Sequence, residues 1–240
     1  MRILIIRHGD PDYINDSLTE KGIREAELLA KRLSKEKIDY VYCSPLGRAK
    51  KTCEIAIKEK NIKAEEIPWL REFDYLVNLP TGEKHLIWDL LPTFKEGYPN
   101  LQNNESWQNI SFIKESMVPE KYTELTNGLD MLLKKHGYVR EGKHYRAERA
   151  NRDTIVLFCH FGVEAMILSH FLNISPLALS HGFIALPTSV TTLYTEERRQ
   201  GVAVLRCCGF GDIGHLYAGN ETPSFAGRFC ETFDSNERKD

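Results

Sequence analysis

The sequence predicts an α/β fold built on buried parallel strands, and three observations carry that expectation. Two continuous apolar runs, Arg2-Ile3-Leu4-Ile5-Ile6 and Thr154-Ile155-Val156-Leu157-Phe158-Cys159, read as strands covered on both faces. Each delivers a histidine at its carboxyl end, in Arg7-His8-Gly9 and in His160-Phe161-Gly162. Strand-like and helix-like stretches alternate on either side of a long irregular middle. Ligands of open α/β sheets gather just beyond the carboxyl ends of strands, so both histidines stand where a site is expected.

The first strand breaks at Gly9 and Pro11, which reads as strand followed by a tight turn. A histidine held there beside an arginine can be a nucleophile whose anionic substrate is clamped by its neighbour; alone, the same three residues also fit a surface turn. Next comes a helix with Ile23, Ala26, Ala30 and Leu33 on one face, capped by Ser17 or Thr19, with Glu20 in its first turn. Tyr40 to Cys43 forms a second strand that runs into Ser44-Pro45-Leu46-Gly47-Arg48-Ala49. Ser44 as N-cap and Pro45 as first residue would open a helix that carries Ala49, Cys53 and Ala56 inward. Arg48 would then add a bidentate donor to a helix start that already favours anions; the plainer reading is a surface arginine paired with a carboxylate.

A third strand is expected around Ala64 to Ile67, followed by Pro68-Trp69-Leu70-Arg71-Glu72-Phe73. From Asp74 to about Asn151 the alternation lapses, with helical pieces near His85 to Leu91 and from Pro119 to Lys135. Pro80, Gly82, Pro92, Gly97 and Pro99 mark loops between them. The chain thus reads as a single domain over 1–240, with an inserted cap at about 74–151. Residues 144–152 are locally basic, as a solvated surface or a segment leaning over a phosphorylated substrate. After the strand that ends at His160, a helix carries Val163, Met166, Ile167, His170 and Phe171 and stops near Asn173. Ser189 to Thr195 and Val202 to Cys207 suggest two paired strands, and the stretch from Glu221 onward is expected to be partly mobile.

A chain of 240 residues with 42% hydrophobic and 28% charged residues is ordinary for a globular protein. The formal charge of −2 gives no basic field that would favour nucleic acid. No apolar run approaches the ~20 residues of a membrane helix, and no signal peptide is expected at the amino terminus. Six scattered cysteines without a C-x-x-C pair suggest reduced, mainly buried thiols and a cytoplasmic location.

Taken together, Arg7-His8-Gly9, Ser44-Pro45-Leu46 with Arg48-Ala49, and the later His160 resemble the histidine phosphatase superfamily, also called phosphoglycerate-mutase-like. The resemblance implies a three-layer α/β/α sandwich with a mostly parallel central sheet. It further implies that Arg7, Arg48 and His160 bind a phosphoryl group and that His8 is phosphorylated during turnover. Leu70-Arg71-Glu72 matches the context in which the family places a proton donor, which would make Glu72 the general acid. Asp10, Asp12 and Asp74 are competing carboxylates, and the family needs no metal or other cofactor. This chain departs from the family at Phe161, where a glycine is common, and after Glu72, where Phe73-Asp74-Tyr75-Leu76-Val77 replaces the usual Gly and Trp-Glu-Gly.

The expected activity is a phosphomonoesterase acting on a small phosphorylated metabolite through a phosphohistidine on His8. Its partner is a small-molecule phosphate ester, with neither nucleic acid nor membrane. The alternatives are a phosphomutase, which returns the phosphoryl group to its substrate, and a non-catalytic phosphate-ester binding module.

Overall fold

A computed structural model describes residues 1–226, 228, 230–235 and 237. The chain opens with β1 (Arg2–Arg7), a short ribbon of β2 (Pro11–Asp12) and β3 (Ser17–Leu18), helix α1 (Glu20–Ser34), β4 (Tyr40–Cys43), α2 (Gly47–Ala56) and β5 (Ala64–Glu66). The middle holds the hairpin β6 (Leu76–Asn78) and β7 (Lys84–Leu86), short helices α3 (Pro92–Glu96) and α4 (Ser111–Lys114), the long α5 (Val118–Lys135), and the hairpin β8 (Tyr138–Glu141) and β9 (His144–Ala147). It closes with β10 (Thr154–Cys159), α6 (Phe161–Leu172), α7 (Pro176–Gly182), β11 (Val190–Arg199), β12 (Val202–Asp212) and α8 (Gly214–Ala218).

Eight strands form one sheet in the order β5-β4-β10-β1-β11-β12-β9-β8. Its first four strands are parallel, and β11, β12, β9 and β8 extend it antiparallel, so the sheet is mixed and its parallel half carries the two histidine-bearing strands. Side chains alternate faces along a strand, and β1 shows the result: Leu4 and Ile6 pack with Leu29 and Leu33 of α1 and Ala49 and Cys53 of α2. Ile3 and Ile5 belong to a second cluster, with Leu129 and Leu133 of α5 and Met166 and Ile167 of α6. Both faces of the central strands are therefore covered, which is why β1 and β10 read as unbroken apolar runs. The result is the three-layer α/β/α arrangement that the sequence predicts.

Several local expectations change. The helix after β4 begins at Gly47 with Leu46 as N-cap, not at Pro45 with Ser44 as cap. Ser44 Oγ does accept a backbone bond, from Leu46 N at 3.2 Å, but it also reaches His160 across the sheet, and that second bond holds it outside the helix. The helical piece expected near His85 to Leu91 is instead the strand β7 and a turn. The basic segment at 144–152 contains β9, whose Arg146 is ion-paired with Glu141 and Glu148 at the far edge of the sheet. Within 74–151, β8 and β9 join the central sheet and α5 packs on its face, whereas the β7–α3 stretch brings Trp88 to the site described below.

Other expectations hold. Thr19 caps α1 by accepting from Gly22 N at 3.1 Å, and α6 ends at Asn173 in the left-handed conformation with φ 56°. His170 is satisfied, its Nε2 lying 2.8 Å from Asp130 Oδ1. Of the six cysteines, Cys43, Cys53 and Cys159 are buried, Cys207 is half-buried, and Cys208 and Cys230 are exposed, so only half match the expected burial. No described helix is long and apolar enough to cross a membrane. The mobility expected from Glu221 onward falls partly on residues outside those described. Before them, Glu221 pairs with Lys21 and Arg24, and Ser224 N donates to Glu25 Oε1 at 3.2 Å.

Candidate active site

Sheet register sets the site. Arg7 lies across from Cys159, Phe158 from Cys43, and Cys43 from Glu66. The ladder continues one step past the strands, with His8 N donating to Cys159 O at 3.0 Å, Ser44 N to Phe158 O at 2.9 Å and Ile67 N to Cys43 O at 2.9 Å. His8, Ser44 and His160 consequently leave the sheet level with one another at its carboxyl edge.

His8 is 2% exposed, and its ring lies 5.0 Å from that of His160, centroid to centroid. Its Nδ1 is 2.7 Å from Gly9 O, an acceptor only, so Nδ1 carries the proton. The lone pair is then on Nε2, which accepts from Arg48 Nε at 3.3 Å. Burial, with Arg7 next to it, pushes the His8 pKa well below the usual histidine range, so the ring is neutral near pH 7. A neutral imidazole with an oriented lone pair is the form a nucleophile requires.

Donors surround that lone pair. Arg48 is held by Asp16, whose Oδ1 accepts from Nη1 at 2.7 Å while Oδ2 accepts from Gly47 N at 2.6 Å. Burial opposes ionisation of Asp16, but the Gly47 amide and Arg48 together keep it below the usual carboxylate range. Arg7 is 3% exposed and donates from Nη1 to Ala185 O at 2.6 Å. His160 Nε2 lies 2.7 Å from Ser44 Oγ. If the serine hydroxyl donates there, the His160 proton sits on Nδ1. Among the described residues, Arg7 Nε and His160 Nδ1 are buried without a hydrogen-bond partner. Buried polar groups are nearly always paired, so an orphaned guanidinium N–H and an orphaned imidazole nitrogen beside Arg48 and the neutral His8 mark an anion site.

Glu72 approaches from the loop after β5. Its Oε1 accepts from Phe73 N at 2.8 Å and from Val163 N, in the first turn of α6, at 3.1 Å, leaving Oε2 to carry a proton. Burial raises its pKa, opposed by these amides and by Arg7. Gly162 makes the approach possible, because a Cβ there would lie 2.7 Å from Glu72 Oε1 and 2.7 Å from Trp88 Nε1. All five residues singled out in the sequence, Arg7, His8, Arg48, Glu72 and His160, thus stand in one cluster.

Residues 3–112 match the profile of the histidine phosphatase superfamily, branch 1. Over that stretch, which runs from β1 into α4, the chain is similar to the histidine phosphatase superfamily. It is 24% identical, over 90% of its length and 95% of the relative's, to a Schizosaccharomyces pombe protein named as a probable phosphatase. It is 23% identical to phosphoserine phosphatase 1 of Hydrogenobacter thermophilus over 151 residues, which span 57% of this chain and 66% of that one. Among solved structures, phosphoserine phosphatase from Entamoeba histolytica in complex with phosphoserine superposes with a TM-score of 0.60, at 20% identity over 90% of this chain and 98% of that one. Phosphoglycerate mutase from Bacillus anthracis gives a TM-score of 0.59, at 18% identity over 92% and 97% of the two chains. At these identities the superpositions show the fold.

The superfamily motifs leave several site residues unmarked. Asp16 and Tyr13 lie on the turn between β2 and β3, and the Tyr13 ring sits 5.5 Å from the Arg48 guanidinium. Phe161, in the place where a glycine is common, lies 5.8 Å from the Arg7 guanidinium. Glu164 is 1% exposed; burial pushes its pKa up to about 7, and neither carboxyl oxygen has a hydrogen-bond partner by distance and angle among the described residues. Thr188, buried and β-branched with φ 57°, donates from N to His8 O at 3.1 Å. Backbone strain of that kind collects at functional sites, and here it bears on the carbonyl of His8.

Proposed function

We propose that this chain is a histidine-type phosphomonoesterase that works through a phosphohistidine on His8. The observation that carries this reading is the His8 Nε2 lone pair, oriented by the Nδ1 bond to Gly9 O and ringed by Arg48, Arg7 and His160. In the first step Nε2 attacks phosphorus, the bond from phosphorus to the ester oxygen breaks, and the leaving oxygen takes a proton from Glu72. Arg7, Arg48 and the Nδ1–H of His160 hold the equatorial oxygens, where charge resides throughout the transfer. In the second step water attacks the phosphohistidine, gives its proton to the Glu72 carboxylate, and releases inorganic phosphate. Burial suits Glu72 to this exchange, since it favours the protonated form that the first step consumes.

The test is turnover of an aryl phosphate in the presence of a chelator, together with acid-labile labelling from a phosphate donor. We expect chelator-resistant phosphate release and a label, both absent in His8→Ala. A label that survives His8→Ala would overturn the assignment of the nucleophile. A wild-type protein that binds phosphate esters but hydrolyses none would favour the binding-module reading, and transfer back to the substrate in place of release would favour a mutase.

A further inference from the structure

Aromatic rings lie against both arginines of the site. On one side Tyr13 stands 66% exposed at the tip of its turn, its ring 5.5 Å from the Arg48 guanidinium. On the other side Phe161 lies 5.8 Å from the Arg7 guanidinium and meets Trp88 edge to face, with ring centroids 5.9 Å apart and planes at 88°. Trp88 is anchored by its Nε1–H, which donates to Phe73 O at 3.0 Å. It borders the proton donor directly, since a single point above Gly162 lies 2.7 Å from both Trp88 Nε1 and Glu72 Oε1.

The group that Glu72 protonates must leave beside Trp88, while Tyr13 stands over Arg48.

We propose that Tyr13, Phe161 and Trp88 form an aromatic clamp that selects phosphomonoesters with a planar, apolar leaving group. The inference rests on the phosphatase reading above and adds its substrate class. Aromatic faces reward a flat ring by stacking and by burial, and they offer little to a short polar alcohol. Arg71 is the one cation next to Glu72 in the chain, and it defines the opposing case, in which the leaving group carries a carboxylate.

The experiment compares kcat/KM for benzyl phosphate, ethyl phosphate and phosphoserine. All three leaving groups are unactivated alcohols, so the comparison reports recognition and not leaving-group acidity. We expect benzyl phosphate to exceed ethyl phosphate by about tenfold, and Tyr13→Ala to shrink that ratio by roughly three- to tenfold. Trp88→Phe, which keeps a ring in place, should retain most of it. Equal rates for benzyl and ethyl phosphate, or a preference for phosphoserine that Arg71→Ala abolishes, would overturn the clamp while leaving the phosphatase reading intact. Failure of the wild type to turn over any of the three overturns the phosphatase reading itself.

Discussion

Replacing Gly162 by alanine tests how Glu72 is held. The added Cβ would lie 2.7 Å from Glu72 Oε1 and 2.7 Å from Trp88 Nε1. Ordinary non-bonded contacts begin near ~3.5 Å, so each neighbour must retreat by about 0.8 Å. Trp88 has one tether, to Phe73 O at 3.0 Å, and Glu72 has two, to Phe73 N at 2.8 Å and Val163 N at 3.1 Å. Of these, the bond from Val163 N is the one that a shift away from α6 stretches out of range. Losing a hydrogen bond to a neutral, protonated carboxyl costs about 0.5–1.5 kcal/mol. Where that bond positions the proton donor, the cost becomes roughly a two- to tenfold loss of rate. The assay is kcat/KM for ethyl phosphate and p-nitrophenyl phosphate measured side by side, with thermal unfolding as a control. We expect the full loss with ethyl phosphate and less than about a threefold loss with p-nitrophenyl phosphate, whose leaving group departs without a proton. Equal losses on both esters, or wild-type rates on both in a protein of unchanged stability, would refute the placement of Glu72 as donor.

Two further perturbations follow from the same geometry. Glu164 is 1% exposed and its pKa is raised from 4.5 to about 7, so its contribution to stability is complete below pH 4.5 and is lost as pH rises through 7. The difference of 2.5 corresponds to about 3 kcal/mol, and Glu164→Gln should therefore gain about 3 kcal/mol on wild type in going from pH 4.5 to pH 8.5 by denaturant unfolding. Parallel pH profiles would show that the carboxyl is not buried as described. Ser44→Ala removes the hydroxyl 2.7 Å from His160 Nε2 and frees the imidazole proton to leave Nδ1. Inorganic phosphate should then bind about five- to tenfold more weakly, the worth of one hydrogen bond, with Ser44→Thr restoring most of it; an unchanged inhibition constant for phosphate would count against His160 as a donor.

What could be read from the sequence is what local chemistry decides. β1 and β10 are recognisable because strands covered on both faces need unbroken apolar runs, and the side chains just past them fall at the carboxyl edge of the sheet wherever the rest of the chain goes. Arg7, His8 and His160 are therefore legible in order along the chain. Ser44 is the opposite case. Before a proline it reads as a helix cap, a purely local role, yet a histidine 116 residues away takes its hydroxyl and the helix starts three residues later. Glu72 depends on Gly162 in the same way, since the space that admits its carboxyl exists only because a residue 90 positions further on has no side chain.

The clamp residues lie furthest from sequence reasoning, for a physical reason. Tyr13 in a turn and Trp88 in an irregular stretch have no periodicity to mark them, and each gains its place only when folding sets it against Arg48 or against Glu72. Phe161 is the exception that sequence could point to, because it stands where the superfamily commonly has glycine. A bulky ring in the first turn of α6 must be accommodated, and here it is met edge-on by Trp88 and covers Arg7. The ring at 161 and Trp88, from the segment after Glu72, thus build a single wall. Removing either ring alone should consequently disturb the leaving-group preference more than the phosphoryl chemistry proposed for His8, the two arginines and His160.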